Sequence, residues 1–212
     1  MAICISHGGT TTYQSNSPAA ELLVGTVDGI AVLRRDNKAQ WTVQANVLRG
    51  LHIHALLIEP RSGVIFAGAH KGGIHVSNDG GLSWEKKEQG ITAEDVYSLA
   101  STVIDGQTKI FAGTEPAHLF ASDNLGESWR EVESLRSVPS VSKWTFPAPP
   151  HIGHVKNIAF NPESSSEIYV CVEQGGLLKG DDAGATWKEL HGFDEQLPFP
   201  LPEGAFADDI HR

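Results

Sequence analysis

Apolar residues along this chain come in short runs of four to seven, broken by clusters of Gly, Pro, Asn, Asp and Ser, and no stretch keeps a helical period over three turns. Four of these runs align: Glu21-Leu-Leu-Val-Gly25, Val64-Ile-Phe-Ala-Gly68, Lys109-Ile-Phe-Ala-Gly113 and Glu167-Ile-Tyr-Val-Cys171. Each is followed, 16 residues after its last member, by a tryptophan: Trp41, Trp84, Trp129 and Trp187. A second strand-like run precedes three of them: His52-Ile-His-Ala-Leu-Leu57, Asp95-Val-Tyr-Ser-Leu-Ala100 and His154-Val-Lys-Asn-Ile-Ala-Phe160. A third, such as Gly73-Ile-His-Val-Ser77, follows, and a polar turn leads into the tryptophan and a fourth, more polar strand. Four short strands in each unit of roughly 40 to 45 residues predict an all-β fold of radially stacked sheets, a β-propeller.

The polar turns carry a motif. They read Ser77-Asn-Asp79-Gly-Gly81-Leu-Ser-Trp84, Ser122-Asp-Asn124-Leu-Gly126-Glu-Ser-Trp129 and Gly180-Asp-Asp182-Ala-Gly184-Ala-Thr-Trp187. A short Asp or Asn side chain accepts backbone N–H groups inside such a turn, Gly supplies a positive φ, and the indole lays a large apolar ring on the sheet. These turns therefore read as hairpin fasteners rather than as an active site. The first unit is worn and keeps only Asp36 and Trp41, with Lys38 where Gly belongs.

The turns resemble the Asp-box, or BNR repeat, written S-x-D-x-G-x-T-W. That family spans sialidases, xyloglucan-cleaving glycosidases, sortilin-type receptors and photosystem II assembly factors. The resemblance implies a propeller of sialidase type, and it does not choose between enzyme and binding scaffold. Blades are expected at about 1–50, 51–93, 94–150 and 151–200, with Ile3 to Ser6 as the first inner strand. Residues 201–212 read as the start of a further blade, so the chain is expected to be part of a larger propeller. The extra length between Trp129 and Trp187 is an insertion, Ser134 to Pro150, expected to decorate a face rather than enter the core.

Composition narrows the partners. The formal net charge is −10, which disfavours nucleic acid. No run of 18 apolar residues and no signal-peptide core is present, so neither a membrane span nor export is expected, and the cytoplasm is the default location. The two cysteines, Cys4 and Cys171, form no framework. No phosphate-binding loop or nucleophile elbow occurs.

The resemblance places the loop entering each first strand and the loop after each second strand on one face around the channel. Two residues after the last member of each aligned run stand Val27, His70, Glu115 and Glu173. Near the first strands stand His52, His54, His151, His154, Asp209 and His211, with His118 close by. Three readings of this rim stay open: a solvated polar edge, a pocket for a small polar ligand, carbohydrate or protein, and a divalent-metal site using His52, His54, His70 and His154. Glu115 and Glu173 are the best carboxylate pair for a glycosidase, the alternative function. A sialidase would also need an arginine cluster and a Tyr–Glu nucleophile pair, and the arginines mostly follow outer strands. Trp144, in the insertion, is a candidate for stacking on a ligand ring.

Overall fold

The computed structural model describes residues 2–6, 8 and 19–190. Residues 201–212, expected to open a further blade, and Asp209 and His211 with them, lie outside this range, as does Ser15 to Pro18 of the first loop. Four four-stranded sheets follow one another along the chain, each ordered by sequence. The first holds β1 (Ala2–Ile5), β2 (Glu21–Thr26), β3 (Gly29–Arg35) and β4 (Trp41–Val47). The second holds β5 (Ile53–Ile58), β6 (Ile65–Ala69), β7 (Gly73–Ser77) and β8 (Glu85–Lys86). The third holds β9 (Asp95–Ile104), β10 (Gln107–Glu115), β11 (Leu119–Ser122) and β12 (Arg130–Glu131). The fourth holds β13 (Val155–Asn161), β14 (Ser164–Val172), β15 (Gly176–Gly180) and β16 (Lys188–Leu190). The sheets are propeller blades, and the first strands of neighbouring blades lie side by side at the axis.

Three apolar layers glue the four blades together. Leu23, Ile30, Ile53, Leu56 and Ile65 fill the first interface. Leu57, Phe66, Val76, Val96, Leu99, Phe120 and Trp129 fill the second, and Phe111, Leu119, Val155, Ile158, Ile168 and Leu178 the third. Strands of the middle blades are covered on both faces, so β5 and β6 read as continuous apolar runs rather than alternating ones.

The aligned glycines mark where a first strand is pressed against the preceding blade. A Cβ on Gly68 would lie 2.6 Å from Val96 Cγ1, and one on Gly113 2.3 Å from Val155 Cγ1; at Gly25 the neighbour is Ile53 Cγ2 at 3.2 Å. Ile53, Val96 and Val155 are thus equivalent positions, one per blade.

Each polar turn closes as its residues require. Asp79 Oδ1 accepts the Leu82 and Ser83 amides at 3.0 and 2.9 Å, Ser77 Oγ accepts the Gly81 amide at 2.8 Å, and Gly81 sits at φ +92°. Asn124 accepts the Ser128 amide at 3.0 Å, and Asp182 the Thr186 amide at 2.8 Å. In the worn first unit Asp36 still accepts the Lys38 and Gln40 amides. Two of the indoles reach backward: Trp129 Nε1 donates to the Lys87 carbonyl of blade 2, and Trp187 Nε1 to Ser134 Oγ of blade 3, whereas Trp84 Nε1 donates within its own turn, to the Gly81 carbonyl.

Two features depart from expectation. The first inner strand, β1, runs parallel to β2, whereas the inner pairs of the other blades are antiparallel. A parallel pair needs a crossover rather than a hairpin, and the chain after β1 turns into the centre of the molecule instead. There the Gly8 amide donates to the His54 carbonyl, the Gly8 carbonyl accepts from Leu99, and Ser6 Oγ accepts from Leu56, so this segment lies between the inner strands of blades 2 and 3. The insertion also enters the core. It folds into two 3₁₀ turns, Glu133–Ser137 and Pro139–Lys143, and buries Leu135 and Val138 in the third interface, because those turns place their apolar residues over the exposed end of that layer.

Candidate functional site

The inner strands of blades 2, 3 and 4 share an irregularity that builds the site. Register passes from Ile53↔Ala69 to Ala55↔Gly68, from Val96↔Thr114 to Ser98↔Gly113, and from Val155↔Val172 to Asn157↔Cys171. His54, Tyr97 and Lys156 are therefore the extra residues of three β-bulges at equivalent positions. A bulge turns its extra side chain out of the alternating pattern. The residues ahead of the three pivots are His52, Asp95 and His154, and the second-strand ends add His70, Glu115 and Glu173. The bulges bring most of these groups into one polar cluster at the axis.

The half between blades 3 and 4 is the more buried. His154, with a side chain 1% exposed, holds Glu173 Oε2 2.8 Å from its Nε2 and Glu115 Oε2 3.6 Å from its Nδ1. Lys156 Nζ lies 3.2 Å from the same Glu173 oxygen. The Tyr97 ring stacks on the His154 ring at 3.8 Å and 25°, and its hydroxyl lies near the Glu115 carboxyl. Burial, reinforced by the Asp95 charge, holds the Glu115 carboxyl above the usual carboxylate range. Burial together with the Glu115 and Asp95 charges pushes the Tyr97 hydroxyl up as well.

The half between blades 2 and 3 is a histidine group around one carboxylate. His70 Nδ1 stands 2.7 Å from Asp95 Oδ2, and His54 Nδ1 stands 3.9 Å from Asp95 Oδ1. The His52 ring meets that of His54 edge-on at 4.4 Å, and Tyr97, 4.3 Å from His54, joins the two halves.

Other candidates sit elsewhere. His118 faces Glu131 on β12, away from the axis, and burial lowers its pKa. His151 is exposed and engages the Phe146 carbonyl. Trp144 packs into the interface of blades 3 and 4: its indole N–H donates to Ser140 Oγ at 3.0 Å, and its ring lies against Gly175 with the third apolar layer. Phe146 is the insertion aromatic that approaches the cluster, 5.2 Å from His154. Val27, the blade 1 counterpart of His70, is exposed and apolar.

Asp95 and Tyr97 fall outside the candidates that the repeat pattern marks, although a signal for them exists. Ile53 and Leu56, Val96 and Leu99, and Val155 and Ile158 each face the same interface while standing three apart, not two. That odd spacing in a strand betrays the bulge and with it the residue turned to the axis.

An imidazole occupies the space between Glu115 and Glu173, where a glycosidase leaves room for the scissile bond. Tyr97 lies near Glu115, but burial and the surrounding carboxylates oppose a phenolate. The arginines among the described residues are engaged far from the axis, Arg34 with Glu21, Arg49 with Asp28, Arg61 with the Gly106 carbonyl, Arg130 with Asp123 and Arg136 with Glu131, while the Arg35 guanidinium lies over the Trp41 ring. Among the described residues no helix is long and apolar enough to cross a membrane.

No protein-family model matches the chain, and no curated protein matches it either. Solved structures do. An ancestral GH74 enzyme is 19% identical over 90% of this chain and 25% of its own, with a TM-score of 0.60. The GH74 xyloglucanase from Xanthomonas campestris is 15% identical over 83% of this chain and 30% of its own, at 0.54. YCF48 bound to D1 peptide is 18% identical over 84% of this chain and 56% of its own, at 0.53. The chain thus spans between a quarter and somewhat over half of these neighbours. Likeness at this identity shows architecture alone, and what it shows is four consecutive blades of a β-propeller.

Proposed function

We propose that this propeller is a binding scaffold that takes a small polar ligand, or the polar end of a partner chain, at the axial group of Tyr97, Glu115, His154, Glu173 and Lys156. The observation that carries the reading is the set of three bulges. Each interrupts a strand ladder, and together they gather carboxylates, imidazoles and an ammonium group where apolar side chains would pack more cheaply. Clustered, desolvated titratable groups with perturbed pKa values are the kind of feature that accompanies ligand sites. The fold is also used by a protein whose solved structure holds a peptide.

The ligand expected there carries hydrogen-bond donors or a cationic group, matched to Glu115 and Glu173. The test is calorimetric titration with a panel of neutral oligosaccharides and of short peptides with free amino groups. Binding should fall at least tenfold in Glu173→Gln and in His154→Ala. Binding unaffected by both variants refutes the reading. Cleavage of a xyloglucan oligosaccharide, abolished in Glu115→Gln, would instead establish the glycosidase alternative.

A further inference from the structure

The other half of the cluster has a geometry that ligand binding does not use. His54, His70 and Asp95 each present one ligand atom, and these atoms lie within 4.8 Å of one another. The three come from three separate places in the chain: the bulge of β5, the turn after β6 and the first residue of β9. They are held by the packing of blade 2 against blade 3.

We propose that His54, His70 and Asp95 form a binding site for a divalent transition ion of the zinc type, at the axial end of the interface between blades 2 and 3. Two imidazoles and one carboxylate make a donor set that suits such an ion, and three protein ligands leave a fourth position open. In a tetrahedral site with bonds of about 2.0–2.2 Å, neighbouring donor atoms stand roughly 3.3–3.6 Å apart. The three donor atoms lie within 4.8 Å of one another, and His70 Nδ1 stands 2.7 Å from Asp95 Oδ2, so modest rotations of the side chains reach that spacing.

A simple His–Asp ion pair accounts for less of what is seen. His70 Nδ1 stands 2.7 Å from Asp95 Oδ2 but makes no hydrogen bond among the described residues. Asp95 Oδ1 is likewise buried, in a side chain only 8% exposed, and accepts no hydrogen bond among the described residues. A buried carboxylate oxygen left this way is costly, and a cation between the two histidines and Asp95 removes the cost. Charge favours it too, since Asp95 lies close enough to Glu115 for the two carboxylates to oppose each other. His70 is 37% exposed on its side chain, which gives the ion a route in and the fourth position a view of solvent.

The site is independent of the ligand reading above, which rests on blades 3 and 4. The test is equilibrium dialysis of the full chain against zinc chloride, followed by cobalt(II) substitution read by visible absorption. One equivalent of zinc per chain is expected, with an intense tetrahedral cobalt spectrum. Asp95→Asn and His70→Ala should each weaken zinc binding by tenfold or more, and Glu173→Gln should leave it unchanged. His70 is partly exposed, so its variant keeps the test valid even if Asp95→Asn unfolds. Less than stoichiometric zinc in the wild-type chain overturns the proposal, as does equal binding by the wild type and His70→Ala.

Discussion

Gly113 shows how little room the repeat leaves at its aligned glycines. Its missing Cβ is the space occupied by Val155 Cγ1 and, at 2.4 Å, by Ser98 Oγ, whose hydroxyl donates to the buried Val155 carbonyl. Gly113→Ala is expected to lower stability by about 1–3 kcal/mol through overpacking, read by denaturant unfolding. Asp79 shows the opposite kind of requirement, for a charge rather than for space. Hydrogen bonds from the Ser83 hydroxyl and amide, and from Ser77, hold its carboxyl down at about 2, against an ordinary 3.8. Because the folded value lies below the unfolded one, the stabilisation is complete above 3.8 and fades as pH falls towards 2. Asp79→Asn, which copies the natural Asn124, should therefore differ most from wild type near neutral pH. The difference should shrink across that acid window in thermal unfolding; a constant gap from pH 7 to pH 2 would contradict it.

Strands and turns of this protein are stable only as part of the blade stack, and the indoles show it. Trp129 is 5% exposed and crosses to the backbone of the preceding blade, while Trp41 is 40% exposed on the outer strand β4. Trp129→Ala should cost about 3–5 kcal/mol. Trp41→Ala should stay within about 0.5 kcal/mol, as for a surface site. Equal losses in chemical denaturation would show that the indoles serve their own turns rather than the layers between blades. The insertion makes a similar case. Leu135 is fully buried in the third layer, and Leu135→Ala is expected to remove about 2–5 kcal/mol. An insertion that merely decorated a face would lose almost nothing.

Taken whole, the molecule is a row of blades in which each contacts its neighbours, so its cohesion is nearly a sum of interface energies. The segment from β1 to Gly8 breaks that rule by touching blades 1, 2 and 3 together. A Cβ at Gly8 would fall 1.6 Å from the Tyr97 carbonyl oxygen, so even alanine cannot be accommodated without moving the backbone. Gly8→Ala should release the segment and raise the hydrogen-exchange rates of the Leu56 and Leu99 amides, which Ser6 and Gly8 now hold. Unchanged protection at both amides would rule out the threading. Because Gly8 abuts Tyr97 and bonds to His54, the same variant is expected to disturb both halves of the axial cluster.

The residue order alone was enough for the blades and their fasteners, since Asp79, Asn124 and Asp182 act within five residues of their tryptophans and Gly25, Gly68 and Gly113 recur in step with them. Local chemistry repeated at constant spacing needs no knowledge of distant contacts. The expectation that His54, His70, Glu115, His154 and Glu173 share one end of the blades came instead from the resemblance to Asp-box propellers. Folding in three dimensions settled which of them meet. The bulges at His54, Tyr97 and Lys156 arise where a first strand must both pack on the preceding glycine and keep its later residues in the same apolar layer. That conflict exists only once two blades are in contact. The same holds for β1, whose parallel course depends on a path between blades 2 and 3, and for Leu135 and Trp144, whose burial depends on a layer built by residues far along the chain.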